Sequence, residues 1–132
     1  MKKLVKGKKR KTKKYWIVSL SIFAILVLIG NFTIIGYFLQ RNYRYSNYNA
    51  TFTYAEEKLK GIPYTGRDNS FRSFLRDNPN VKDKTLYRTF TVDIWRFWEW
   101  REMIIRTDRF LLPYISTEEI MKNRAQEHLP DF

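Results

Sequence analysis

The chain has 132 residues, with 25 Lys and Arg against 13 Asp and Glu, a formal net charge of +12, and no Cys. That length allows one small domain at most beside a membrane segment. The missing thiol excludes disulfides, thiolate metal sites, a lipidated cysteine anchor and thiol catalysis.

The charge is concentrated at one end. Residues 1–14 hold eight Lys and one Arg and no acid, whereas the sixteen basic residues that follow meet all thirteen acids and leave only +3. A basic tail placed this way, next to an apolar segment, reads as a topology signal that stays on the cytoplasmic or matrix side. Lys8, Lys9, Arg10, Lys11, Lys13 and Lys14 are the candidates for contact with anionic lipid headgroups, each worth about 1 kcal/mol near an acidic leaflet. A nucleic-acid partner is disfavoured, because no aromatic or Gly-rich recognition signature accompanies the lysines.

Trp16–Leu39, WIVSLSIFAILVLIGNFTIIGYFL, contains no charged residue. A helix of that length measures about 36 Å at 1.5 Å per residue, enough for a hydrocarbon core of about 30 Å with some tilt. Tyr15 and Trp16 at one end and Tyr37 near the other suit the headgroup level. The apolar core is longer than that of a signal peptide, and no small-residue cleavage pattern follows it. Within it, Gly30 and Gly36 flank Asn31 and Thr33, a grouping expected to dock against another membrane helix.

Residues 40–53 form a Tyr-rich juxtamembrane segment, expected to be irregular or extended. Asn49-Ala50-Thr51 and Asn31-Phe32-Thr33 match the glycosylation sequon, and both are read as chance matches. Tyr54–Lys60 is expected to be a short helix closed by Gly61 and Pro63. A second helix is expected from an Asp68 or Asn69 cap to Arg76, with Phe71, Phe74 and Leu75 on one face. Lys84–Val92 alternates as a strand that must pair outside the chain or with the Tyr-rich segment. Asp93–Tyr114 reads as one helix capped by Asp93 and stopped by Pro113. Ser116-Thr117-Glu118-Glu119 is a capping box that opens a helix running to about Glu127.

The expected fold is therefore mainly α. A basic tail (1–14) leads to a single transmembrane helix (15–39), the juxtamembrane segment (40–53) and a small extracytoplasmic helical arm (54–132). Catalytic machinery is not expected. The single His128 has no carboxylate at ligand spacing, and the acidic pairs Glu56-Glu57 and Glu118-Glu119 sit at helix starts, where the dipole explains them. No cofactor or metal is expected.

Beyond residue 39 there are seven Tyr, seven Phe and three Trp against sixteen Leu, Ile, Val and Met, and Arg outnumbers Lys eleven to five. Trp, Tyr and Arg are the residues enriched at binding hot spots, and Arg stacks on rings where Lys does not. Asn31, Thr33, Trp95, Phe97, Trp98, Trp100 and Arg101 are accordingly the candidate protein-interface residues. The expected role is a non-catalytic accessory subunit of a larger membrane complex, in a bacterial plasma membrane or a mitochondrial inner membrane, with other membrane subunits as partners. The alternative is a free-standing anchored module that binds an envelope component or a transient partner.

Overall fold

A computed structural model describes residues 2–57 and 60–131, with residues 2–11 described by their helical backbone alone. The expectation of lipid contact at Lys8, Lys9, Arg10 and Lys11 thus lies outside the described side chains, while Lys13 and Lys14 are exposed. Among the described residues the chain is mainly helical, with one long apolar helix near the N-terminus and a small three-stranded sheet, of which the residue pattern announced only the strand within 84–92. It divides into two compact units. One takes residues up to Gln40 together with Ile94–Arg101; the other takes Arg41–Asp93 and Glu102–Phe132.

In the first unit, helix α1 spans Lys2–Phe32 and helix α2 spans Ile34–Leu39. The single helix expected over Trp16–Leu39 is thus broken at Thr33, whose backbone is extended at φ −117° and ψ 170°. The cause is local. The Asn31 amide donates to the Val27 carbonyl at 2.8 Å and the Thr33 hydroxyl to the Ile29 carbonyl at 2.6 Å. Such side chains compete with the backbone for the last helical carbonyls and loosen the helix where they cluster. Helix α2 then comes back against α1: a Cβ at Gly36 would stand 1.6 Å from the Gly30 carbonyl oxygen. Only glycine fits there.

In the second unit, strand β1 (Arg44–Ser46) is central, with β2 (Thr53–Ala55) on one side and β3 (Tyr87–Arg88) on the other, both antiparallel. The register sets Tyr45 opposite Tyr54 and Arg88. The strand expected over Lys84–Val92 is therefore short, and it pairs with the Tyr-rich segment. The helix expected over Tyr54–Lys60 is corrected: Thr53–Ala55 is strand and Glu57 bridges to Ile62, while Lys58 and Leu59 lie outside the described residues. Tyr54 is aromatic and follows Thr53, and both suit a pleated half-buried surface better than a helix.

The β1–β2 turn is built by Asn47. Its amide oxygen accepts from Phe52 N–H at 3.1 Å and its amide nitrogen donates to Thr51 Oγ1 at 2.8 Å. Helix α3 (Gly66–Asp77) starts earlier than expected, with Asp68 in its first turn, and it lays Phe71 and Phe74 on Phe52 at 5.1 and 5.2 Å between ring centroids.

The expected helix Asp93–Tyr114 is also corrected. No helix starts at Asp93; a 3₁₀ turn (Phe97–Glu99) leads into α4 (Trp100–Ile105), and α5 (Thr107–Leu111) follows a break at Arg106. The sequence there is rich in aromatics but also holds good helix formers such as Arg, Glu, Met and Leu, so tertiary contacts rather than propensity decide its path. Helix α6 (Thr117–Gln126) has the expected cap, Ser116 Oγ accepting from Glu119 N–H at 3.1 Å.

Tyr43, Tyr45, Phe52, Phe71, Leu86 and Phe90 form the core of this unit. It is aromatic because the rings meet edge to face, Tyr43 on Phe90 at 4.9 Å for example.

Candidate functional site

Within the first unit, Asn31 is the organising residue. It is 6% exposed and uses both ends of its amide. Besides Val27, Nδ2 donates to the Phe97 carbonyl at 2.6 Å, and Oδ1 accepts from Arg101 N–H at 2.8 Å. The Arg101 N–H belongs to the first turn of α4, where no intrahelical acceptor exists. Asn31 is thus a capping residue supplied from seventy positions away. Gly30 makes room beside it: a Cβ there would lie 2.8 Å from Trp98 Cβ and 3.1 Å from Trp98 Cα.

Further along α1, the Phe23 ring meets Phe97 at 5.6 Å and Trp100 at 6.2 Å. The Arg101 guanidinium lies 5.7 Å from the Phe32 ring centre. Arg96 pairs with the fully buried Glu99 at 2.8 Å and stacks over Trp98 at 5.2 Å.

The structure therefore brings together Asn31, Phe97, Trp98 and Arg101 within one chain, where the residue pattern had pointed to a second protein. Thr33 is exposed and spends its hydroxyl on Ile29. Trp95 is 83% exposed and Trp100 37%. The Asn31 sequon is committed to these contacts. Asn49 of the other sequon is 5% exposed, and its amide donates to Glu127 Oε2 at 2.6 Å.

The second unit holds a cluster that the residue pattern did not locate. Arg109, 2% exposed, donates to Glu56 at 2.7 Å and to Glu102 at 2.9 Å, and its guanidinium stacks 4.0 Å from the Tyr43 ring centre. The Tyr45 hydroxyl donates to the other Glu56 oxygen. Burial pushes the Glu56 carboxyl up, against the Tyr45 hydrogen bond and the Arg109 charge, which pull it down. Burial foremost, then the Glu56 hydrogen bond, pushes the Tyr45 hydroxyl far above its ordinary value. Tyr64 is ringed by Arg67, Arg106 and Arg109 at 4.7–4.9 Å. The only signal for this cluster in the sequence is the preference for Arg over Lys. Its carboxylates Glu56 and Glu102 are held by Arg109, so the arrangement ties the sheet to the 102–112 segment.

A cleft of about 410 Å³ opens beside Glu127, lined by Tyr48, Asn49, Asp77, Asn80 and Lys82 among others. Glu127 accepts from Tyr48 at 2.6 Å, Asn49 at 2.6 Å and Lys82 at 2.8 Å. Hydrogen bonds from Lys82, Tyr48 and Asn49 hold its carboxyl down at about 2, and burial with the Glu127 bond pushes Tyr48 up to about 12.

His128 stands exposed just beyond α6 at φ 55°. Its N–H donates to Ala125 O, and Leu129 N–H donates to Arg124 O, the bond pair of a left-handed helix stop.

No family model, no curated protein and no solved structure matches this chain.

Proposed function

We propose that the chain is a single-pass membrane protein with its basic N-terminus inside and its second unit outside, serving as a non-catalytic accessory subunit of a larger membrane assembly. One observation carries this reading. Thr12–Phe32 is long and apolar enough to cross a bilayer, and only 11% of its most apolar window is buried within the protein. A core helix of a soluble protein would be mostly covered, whereas a hydrocarbon environment supplies the missing cover.

Exposed Lys13 and Lys14 lie at the N-terminal end of Thr12–Phe32 and suit an anionic leaflet. Toward partners, the second unit leaves Ile104, Ile105 and Leu111 at 77%, 58% and 77% exposure, an apolar row of the kind that marks a protein contact. The membrane would be a bacterial plasma membrane or a mitochondrial inner membrane.

The second reading, a free-standing anchored binding module, is favoured by the core and cleft that the second unit owns by itself. Extraction of the tagged full-length protein in mild detergent separates the two. Stoichiometric migration with other membrane proteins supports the subunit. A lone 16.1 kDa chain in its micelle supports the module and overturns the subunit.

A further inference from the structure

We infer that Ile94–Arg101 is a lipid-facing wedge set into the outer leaflet beside the membrane helix, an inference that rests on the anchoring proposed above. The described contacts of this segment with α1 fall at Phe23, Gly30, Asn31 and Phe32, within the apolar window Thr12–Phe32. Wherever those residues sit in the bilayer, the segment sits beside them. Hydrocarbon tolerates irregular backbone only when its polar groups find internal partners. Here they do. Asn31 takes the Phe97 carbonyl and the Arg101 N–H, the Phe97 N–H donates to Trp95 O, the Glu99 N–H donates to Arg96 O, and Trp100 Nε1 donates to Ile94 O at 2.8 Å.

The segment's two inner charges, Arg96 and Glu99, neutralise each other, and Arg101 lies over Phe32 at the end of α1. Apart from the exposed Arg101, what faces outward is apolar: Ile94 at 65% exposure, Trp95 at 83% and Trp100 at 37%. An outward face of Ile94, Trp95 and Trp100 held beside the apolar stretch of α1 suits acyl chains, with indole rings at the headgroup boundary.

The absence of Cys permits single spin labels without background. Trp95→Cys and Ile94→Cys are both at exposed positions, so the fold has little to lose at either. Each nitroxide, in full-length protein reconstituted into phosphatidylcholine–phosphatidylglycerol vesicles, is read by its collision rates with oxygen and with a water-soluble nickel complex. Leu26→Cys in α1 and Glu118→Cys in α6 serve as references. The inference expects the oxygen-to-nickel ratio at 94 and 95 to rise above that at Glu118→Cys toward that at Leu26→Cys. A ratio at 94 and 95 equal to that at Glu118→Cys, with Leu26→Cys in lipid, overturns the wedge and leaves the anchor standing. An aqueous ratio at Leu26→Cys overturns the anchor itself. Shielding of 94 and 95 from both reagents means a protein covers this face, and that also overturns the wedge.

Discussion

Replacing Asn31 by Leu keeps the volume close and removes the amide. The Phe97 carbonyl then loses a 2.6 Å donor and the Arg101 N–H loses a 2.8 Å acceptor, at a position 6% exposed. An orphaned buried backbone group costs about 1–3 kcal/mol. Deletion of polar side chains inside membranes costs less, about 0.6 kcal/mol on average, because the loosened state finds other partners. The Phe97 carbonyl still accepts from the Trp100 N–H, so the one orphaned group, the Arg101 N–H, gives about 1–3 kcal/mol against docking of the Ile94–Arg101 segment on α1, or roughly five- to 150-fold in its docking equilibrium. Amide hydrogen exchange at Arg101, resolved by fragmentation mass spectrometry on the detergent-solubilised protein, reads this directly. Asn31→Leu should lose protection at Arg101 by that factor. Asn31→Asp, which keeps the acceptor and loses the donor to Phe97, should fall between. Protection in Asn31→Leu within about threefold of wild type would refute the capping role, since it would mean the Arg101 N–H has no need of that acceptor.

Gly36→Ala places a methyl 1.6 Å from the Gly30 carbonyl, so α2 must move, and thermal unfolding should show destabilisation of about 1–3 kcal/mol or more. Arg109→Leu strands Glu56 in a site where it is 3% exposed and should cost about 3–5 kcal/mol by thermal near-ultraviolet circular dichroism; Arg109→Leu with Glu56→Leu should recover part of that loss. Glu127 has a folded-state value of about 2 against an ordinary 4.5, so its contribution is whole above about 4.5 and is lost as pH falls from there toward 2. Glu127→Gln should therefore be less stable than wild type at neutral pH, the gap closing below about pH 2 in acid titrations. His128→Gly relieves a positive φ at the end of α6 and should stabilise the second unit by about 1 kcal/mol in the same melts.

The parts legible in the sequence were those written in local chemistry. Eight lysines before an uncharged stretch, the Ser116 capping box and the Phe71-Phe74-Leu75 face of α3 each announce themselves within a few residues. The break at Thr33 departs from the single helix that composition alone leads one to expect. Asn31 and Thr33 were visible as polar residues flanked by glycines, but their hydrogen bonds to Val27 and Ile29 depend on side-chain geometry rather than composition. The β1–β2 hairpin was hidden because its turn runs Asn47–Thr51 without the two-residue Asn-Gly signature, and Asn47 supplies the closure through its side chain. The 94–101 segment reads as helix by periodicity and ends as a 3₁₀ turn because its polar and aromatic groups answer to α1, seventy residues earlier. The Arg109–Glu56 pair, fifty-three residues apart, is of the same kind: long-range contacts leave no spacing to read.

The central claim, an anchoring helix with the basic tail inside and the second unit outside, is tested most directly by two-sided labelling of single cysteines in intact membranes. Lys13→Cys and Lys84→Cys are both at exposed positions. The account predicts that an impermeant maleimide added outside modifies Lys84→Cys at once and Lys13→Cys only after the membrane is opened. Labelling of both from the same side, or release of the protein by alkaline carbonate, would contradict it.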